Sequence, residues 1–169
     1  KVLGCSRSDI LSKLPRRLSH SILKWAEISP HAPAVAGSAT TLTYAALQQA
    51  VTESIEFLKS KGVRPGDRVM LVAENGIALM CLFVALSEMD AIAVVINARL
   101  SERELGLIQE DCDPRVVVFT TDDSTDAQAH GKRLGALADQ LSFAKVATST
   151  EFEASPERVH DDPAEQVLA

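Results

Sequence analysis

The sequence predicts an α/β fold, an open and mainly parallel sheet with flanking helices. Apolar runs near 68–73, 91–96 and 115–119 read as strands covered on both faces. The stretches 44–61, 76–88 and 102–112 carry helical spacing between or before them. Each connection between strands is long enough for a right-handed crossover, which makes the strands parallel.

Taken in order, Lys1 to Arg17 shows little periodicity and is expected to be an N-terminal arm, leaving 18–169 as the folded part. Ile22, Leu23, Trp25, Ala26 and Ile28 fall at helical spacing within His20–Ile28, ended by Pro30 and Pro33. Ala34–Ala36 and Leu42–Tyr44, around Gly37–Thr40, predict a short hairpin. Thr43 is placed to cap a helix to about Lys61, with Leu47, Val51, Ile55 and Leu58 on one face. Gly62 suits the left-handed residue that closes a helix, and Pro65-Gly66 suits a tight turn before the strand Val69–Ala73.

Asn75 is expected to cap the next helix through its side chain. Gly76–Ser87 is apolar nearly all round, so that helix should be enclosed. Ser101–Glu104 reads as a capping box, with Leu105, Ile108 and Cys112 on one buried face. Beyond the third strand, the spacing predicts a weaker helix over Asp126–Gln140, a strand over Phe143–Ala147 and a surface loop over Thr148–Asp162.

Composition narrows the function classes. The 169 residues carry a net charge of −6 with no long basic run, which disfavours nucleic acid as a partner. Cys5, Cys81 and Cys112 are far apart and form no CxxC, so free thiols in a reducing compartment are expected. Ile77–Ile96 is mostly apolar, but Glu88 and Asp90 interrupt it, and an acid near a membrane centre costs about 2.5–3.5 kcal/mol. A soluble core, no membrane span and a cytoplasmic location are the expectation.

The sequence carries few catalytic patterns. GxGxxG, GxxxxGK[ST] and GxSxG are absent from the sequence. Gly131-Lys132-Arg133 reads as a helix-surface patch, Asp161-Asp162 as a solvated turn before Pro163. His20, His31, His130 and His160 share no ligand spacing, so no metal site and no catalytic residue is assigned.

GVRPGDRVMLVAEN (62–75), preceded by Leu42-Thr43-Tyr44 and followed by AIAVVINARLSERELGLIQEDCDPRVVVF (91–119), resembles the N-terminal region of adenylate-forming enzymes. That superfamily includes acyl- and aryl-CoA synthetases, peptide-synthetase adenylation domains and luciferases; the likeness runs from about Leu18 to Ala169. It implies the N-terminal part of the large domain of an acid–CoA ligase using ATP, CoA and Mg2+, with a small carboxylic acid as substrate. It also implies the remainder of its own chain as partner, and it allows a homodimer. The segment from Asp162-Pro163-Ala164 to Ala169 resembles the lead-in to the family's phosphate loop, which places the catalytic motifs beyond Ala169 and makes this stretch alone inactive.

One residue here is implicated in ligand binding. In the family's NPRL segment an arginine lies near the phosphates of CoA; Asn97-Ala98-Arg99-Leu100 stands here, which makes Arg99 the CoA-phosphate candidate. The competing role is structural, a pairing of Arg99 with Glu102 or a nearby carbonyl. The chain departs from the family pattern at Ala98 (usually proline), at Met89-Asp90-Ala91 (usually AGA) and at Ala46, where a capping glutamate often stands. Two other readings are a peptide-synthetase adenylation domain and a non-catalytic α/β module derived from such an enzyme.

Overall fold

The computed structural model describes residues 6–38, 40–150 and 152–161. Cys5 and the segment from Asp162 to Ala169 lie outside the described residues. The chain begins with α1 (Arg7–Leu11) and α2 (Leu18–Ile28), then an antiparallel pair, β1 (Pro33–Ala36) and β2 (Thr41–Thr43). Next come α3 (Tyr44–Ser60), β3 (Arg68–Ala73), α4 (Ile77–Glu88), β4 (Ile92–Asn97), α5 (Glu102–Cys112) and β5 (Val116–Thr120). The described part closes with α6 (Thr125–Arg133), β6 (Leu137–Gln140) and β7 (Lys145–Ser149).

The main sheet has the order β4-β3-β5-β7-β6. The three predicted strands are parallel: Leu71 of β3 stands beside Val95 on one side and Val118 on the other. Alternation along β3 divides the core. Val69 and Leu71 face Leu58 of α3 and Leu82, Ala85 and Leu86 of α4, whereas Met70 and Val72 face Leu105 of α5 and Ala127 of α6. Helix α4 is enclosed as its composition requires, lying between the sheet and α2 and α3. Among the described residues no helix is long and apolar enough to cross a membrane.

Local chemistry accounts for most boundaries. Thr43 accepts the Ala46 N–H at 3.3 Å to start α3, and Gly62 closes that helix with φ of 82°. In the turn Arg64–Asp67, the Asp67 N–H returns to the Arg64 carbonyl at 3.1 Å, with Gly66 at φ 83°. Ser101 and Glu104 form the predicted capping box of α5. Asp90 takes a left-handed φ of 55° where the resembled family has glycine. Its carboxylate grips Arg17 in a two-pronged pair, Nη1 at 2.9 Å and Nη2 at 3.0 Å. The same guanidinium donates to the Ser87 carbonyl at 2.7 Å, so a cation closes the C-terminus of α4. Asp90 holds the Arg17 guanidinium above its ordinary pKa.

Several expectations fail. Asn75 does not cap α4; Gly76 occupies the cap position without a side-chain bond, and the carboxylate of Asp123 fills the space where a Cβ on Gly76 would stand. Asp123 accepts the Ala78 N–H instead, a cap delivered from the loop after β5. The helix expected to reach Gln140 ends at Arg133. Gly135, at φ 65°, turns the chain into β6, an edge strand whose Leu137–Gln140 pair with Lys145–Thr148. The strand expected at 143–147 runs Lys145–Ser149 and lies antiparallel to β5.

The expected surface loop also does more than cross the surface. Thr148 and Ser149 belong to β7. Residues 152–158 form a strap across the N-terminal ends of the parallel strands. There the Glu157 N–H donates to the Gly66 carbonyl at 2.7 Å, and Arg115 Nη2 donates to the Ala154 carbonyl at 2.5 Å. Glu157 also pairs with Arg68, and Phe152 packs against the core. Beneath the strap, Asp67 is fully buried. Its Oδ2 accepts the Arg64 N–H at 2.8 Å and lies 3.4 Å from Arg115 Nε.

Candidate functional site

In open α/β sheets, ligands collect at the carboxyl ends of the strands, because the backbone turns there into loops and helix N-termini. Here those ends belong to β3, β4 and β5. β3 ends at Ala73 and passes through Glu74, Asn75 and Gly76 into α4; β4 ends at Asn97 and passes through Ala98, Arg99 and Leu100 into α5. A cleft of about 480 Å³ lies between them, lined by Glu74, Asn75, Leu79, Val95, Asn97 and Arg99.

Much of the loop after β4 is tied down by hydrogen bonds. The Ala98 N–H continues the ladder to the Ala73 carbonyl at 3.0 Å, a bond that a proline at this position could not make. The Asn97 carbonyl accepts the Leu100 N–H at 3.1 Å, and the Asn97 side chain accepts the Arg99 N–H at 3.0 Å. Arg99 Nε lies 2.8 Å from Glu74 Oε1, and this bond raises the guanidinium pKa. The Arg99 side chain is 70% exposed, that of Glu74 28%. Arg99 therefore does not pair with Glu102, which takes Arg133 of α6 at 2.5 Å.

The guanidinium stands at the rim of the cleft. With Glu74 on Nε, the terminal amino edge of the fork is a separate pair of donors suited to phosphate oxygens. Glu74 was not evident as its partner from sequence, since the two lie on different loops and meet only through β3–β4 pairing.

A second acidic group lies where β3 and β5 part to opposite helices. Asp122 accepts the Lys145 N–H at 2.7 Å, and Asp123 caps α4. Burial, assisted by the charge of Asp122, pushes the Asp123 carboxyl upward in spite of the Ala78 bond. Both carboxylates are therefore engaged in holding the sheet to its loops. Among the described residues no group of three or more His, Cys, Asp or Glu is arranged to hold a metal ion. Cys81 is fully buried, its thiol pushed up to about 12 by burial, and Cys112 is half-buried and also raised, chiefly by burial. Neither is an activated nucleophile.

Comparison with known proteins agrees with this fold. The profile of the AMP-binding enzyme family matches residues 22–168. A feruloyl-CoA synthase of Amycolatopsis sp is 36% identical over 121 residues, covering 70% of this chain and 25% of that protein. The long-chain-fatty-acid–CoA ligase FadD13 of Mycobacterium tuberculosis is 32% identical over 96 residues, covering 56% of this chain and 19% of that protein. The inhibitor-bound N-terminal domain of FACL13 from Mycobacterium tuberculosis superposes with a TM-score of 0.63 at 26% identity, over 73% of this chain and 30% of that one. The chain thus spans a quarter or less of the length of these two curated relatives. With a profile match over most of its residues and the expected parallel sheet beneath it, the chain belongs to the AMP-binding enzyme family.

Proposed function

We propose that this chain is the N-terminal portion of an ATP-dependent carboxylic acid–CoA ligase. The observation that carries the reading is the 36% identity to a feruloyl-CoA synthase across 121 residues. Residues 1–17 are assigned as an arm and 18–169 as part of the adenylating domain. In the reaction, a carboxylate oxygen attacks the α-phosphorus of ATP and pyrophosphate leaves. The CoA thiol then loses its proton, its sulfur bonds to the acyl carbon, and AMP departs. Magnesium offsets negative charge on the phosphoryl oxygens in such chemistry. Among the described residues no group of three or more His, Cys, Asp or Glu is arranged to hold that ion.

The contribution of this chain is binding and support. The parallel strands fix the two loops of the cleft, and Arg99 presents donors to a CoA phosphate at its rim. The acid is aromatic or aliphatic, since the relatives include one of each class. A cytoplasmic setting, with the remainder of the parent chain as the main partner, completes the reading.

The test uses the parent polypeptide. It should exchange labelled pyrophosphate into ATP in the presence of a cinnamic-type or fatty acid, and should form the CoA thioester. No exchange with any acid of a broad panel would remove the ligase reading. Exchange without thioester formation would favour a peptide-synthetase adenylation domain. For Arg99→Ala the expected result is a KM for CoA raised between a few-fold and roughly a hundredfold, with exchange retained.

A further inference from the structure

Arg99 is weakly held by its own side chain, because an exposed ion pair restrains little. The main chain on either side of it is better held, and His130 grips that chain at both points. His130 lies on α6, with Nε2 3.1 Å from the carbonyl oxygen of Ala98 and 3.1 Å from that of Leu100. Two carbonyl acceptors require a donor, so the ring carries its proton on Nε2. Nδ1 is then the acceptor, and Arg133 Nη2 stands 3.3 Å from it. Arg133 Nη1 in turn pairs with Glu102 at 2.5 Å, in the first turn of α5. One imidazole therefore ties α6 to the loop after β4, and its own orientation is set by a charged pair that reaches α5.

We propose that His130 is a positioning residue for CoA. By clamping the carbonyls before and after Arg99, it holds the guanidinium at the mouth of the cleft and so sets the affinity of the parent ligase for the phosphate end of CoA. This rests on the reading of Arg99 given above. A histidine that only docked α6 on the sheet would need no bond to both flanks of a single loop residue, and α6 already packs there through Ala127 and Gly131.

The experiment compares parent ligase with His130→Ala, His130→Gln, Arg99→Ala and the double variant. It reads KM for CoA, acid-dependent pyrophosphate exchange and amide hydrogen exchange across 98–101. His130→Ala should raise the KM for CoA about fivefold, leave pyrophosphate exchange unchanged and speed amide exchange in the loop. His130→Gln, whose side-chain N–H reaches about as far as Nε2, should recover most of the affinity. Combined with Arg99→Ala, His130→Ala should add nothing further. Should His130→Ala fail to fold, His130→Asn, whose amide stops near the Nδ1 position, carries the same expected rise. An unchanged KM in the His130 variants while Arg99→Ala raises it would overturn the proposal and leave the Arg99 reading intact. An unchanged KM in Arg99→Ala removes both. Equal loss of pyrophosphate exchange and CoA use, or additive effects in the double variant, reduces His130 to a general support and also overturns it.

Discussion

The two ends of the parallel strands carry the same chemistry in opposite settings. At the N-terminal ends, the carboxylate of Asp67 is wholly buried between Arg64 and Arg115, and the 152–158 strap covers it. At the C-terminal ends, Glu74 and Arg99 form a comparable pair, with the arginine 70% exposed and nothing among the described residues across it. The covered pair is held by charge, with Asp67 Oδ1 and Arg115 Nε left without a hydrogen-bond partner, and removing one member would strand an isolated buried charge, which is costly. The open pair costs little to rearrange, which leaves it available to a ligand. An acid and an arginine side by side thus say nothing about role until their solvation is known.

The comparison can be broken most directly at Asp67. Asp67→Ala would leave Arg115 facing a buried site without its counter-charge, and should cost about 3–5 kcal/mol in urea denaturation. A loss within experimental error would mean that the N-terminal ends are not the structural ones. Gly66→Ala comes next. Its φ of 83° and the strap carbonyl of Glu157 occupying the Cβ direction leave no room, so a loss of about 1–3 kcal/mol is expected, with faster proteolysis within the 152–158 strap.

Cys81 sharpens the same contrast through pH. Its folded value, about 12, stands above the ordinary thiol value of 9.0. The stabilising contribution is therefore complete below pH 9.0 and is lost as pH rises towards 12. The denaturation midpoint should fall across that window, and Cys81→Ala should flatten the fall; a thiol reagent should leave Cys81 unmodified at neutral pH. The smallest stability effect belongs to Arg99→Ala, which should leave the denaturation midpoint in place while changing CoA dependence. A clear drop in the midpoint would instead make Arg99 a loop support.

What could be read from sequence follows the same division. The strands β3, β4 and β5 were legible because burial on both faces demands unbroken apolar runs, and Thr43, Gly62 and Ser101 were legible because caps act within a few residues. β6 was not. Leu137 is 74% exposed and Asp139 and Gln140 are polar, so the strand exists only through its pairing with β7, and its spacing imitates a continuation of α6. The true cap of α4 was hidden because Asp123 arrives from another loop. A glycine at the cap position, lacking any side-chain oxygen, was the available hint. At the candidate site, Arg99 was visible only through a resemblance, while Glu74 and His130 required the sheet and α6 to be in place before they could be seen near it.

The strap has a consequence for how the protein is made. Arg68 and Glu157 are 89 residues apart in sequence, yet they meet in the finished fold. A ribosome delivers β3, β4 and β5 well before it delivers Ala154 and Glu157, so a nascent chain can assemble its parallel strands while the ends of β3 and β5 remain open to water. During that interval Asp67 and Arg115 are hydrated charges at an unfinished edge. Arrival of the strap encloses them, and a translational pause before residue 154 would prolong their exposure to water.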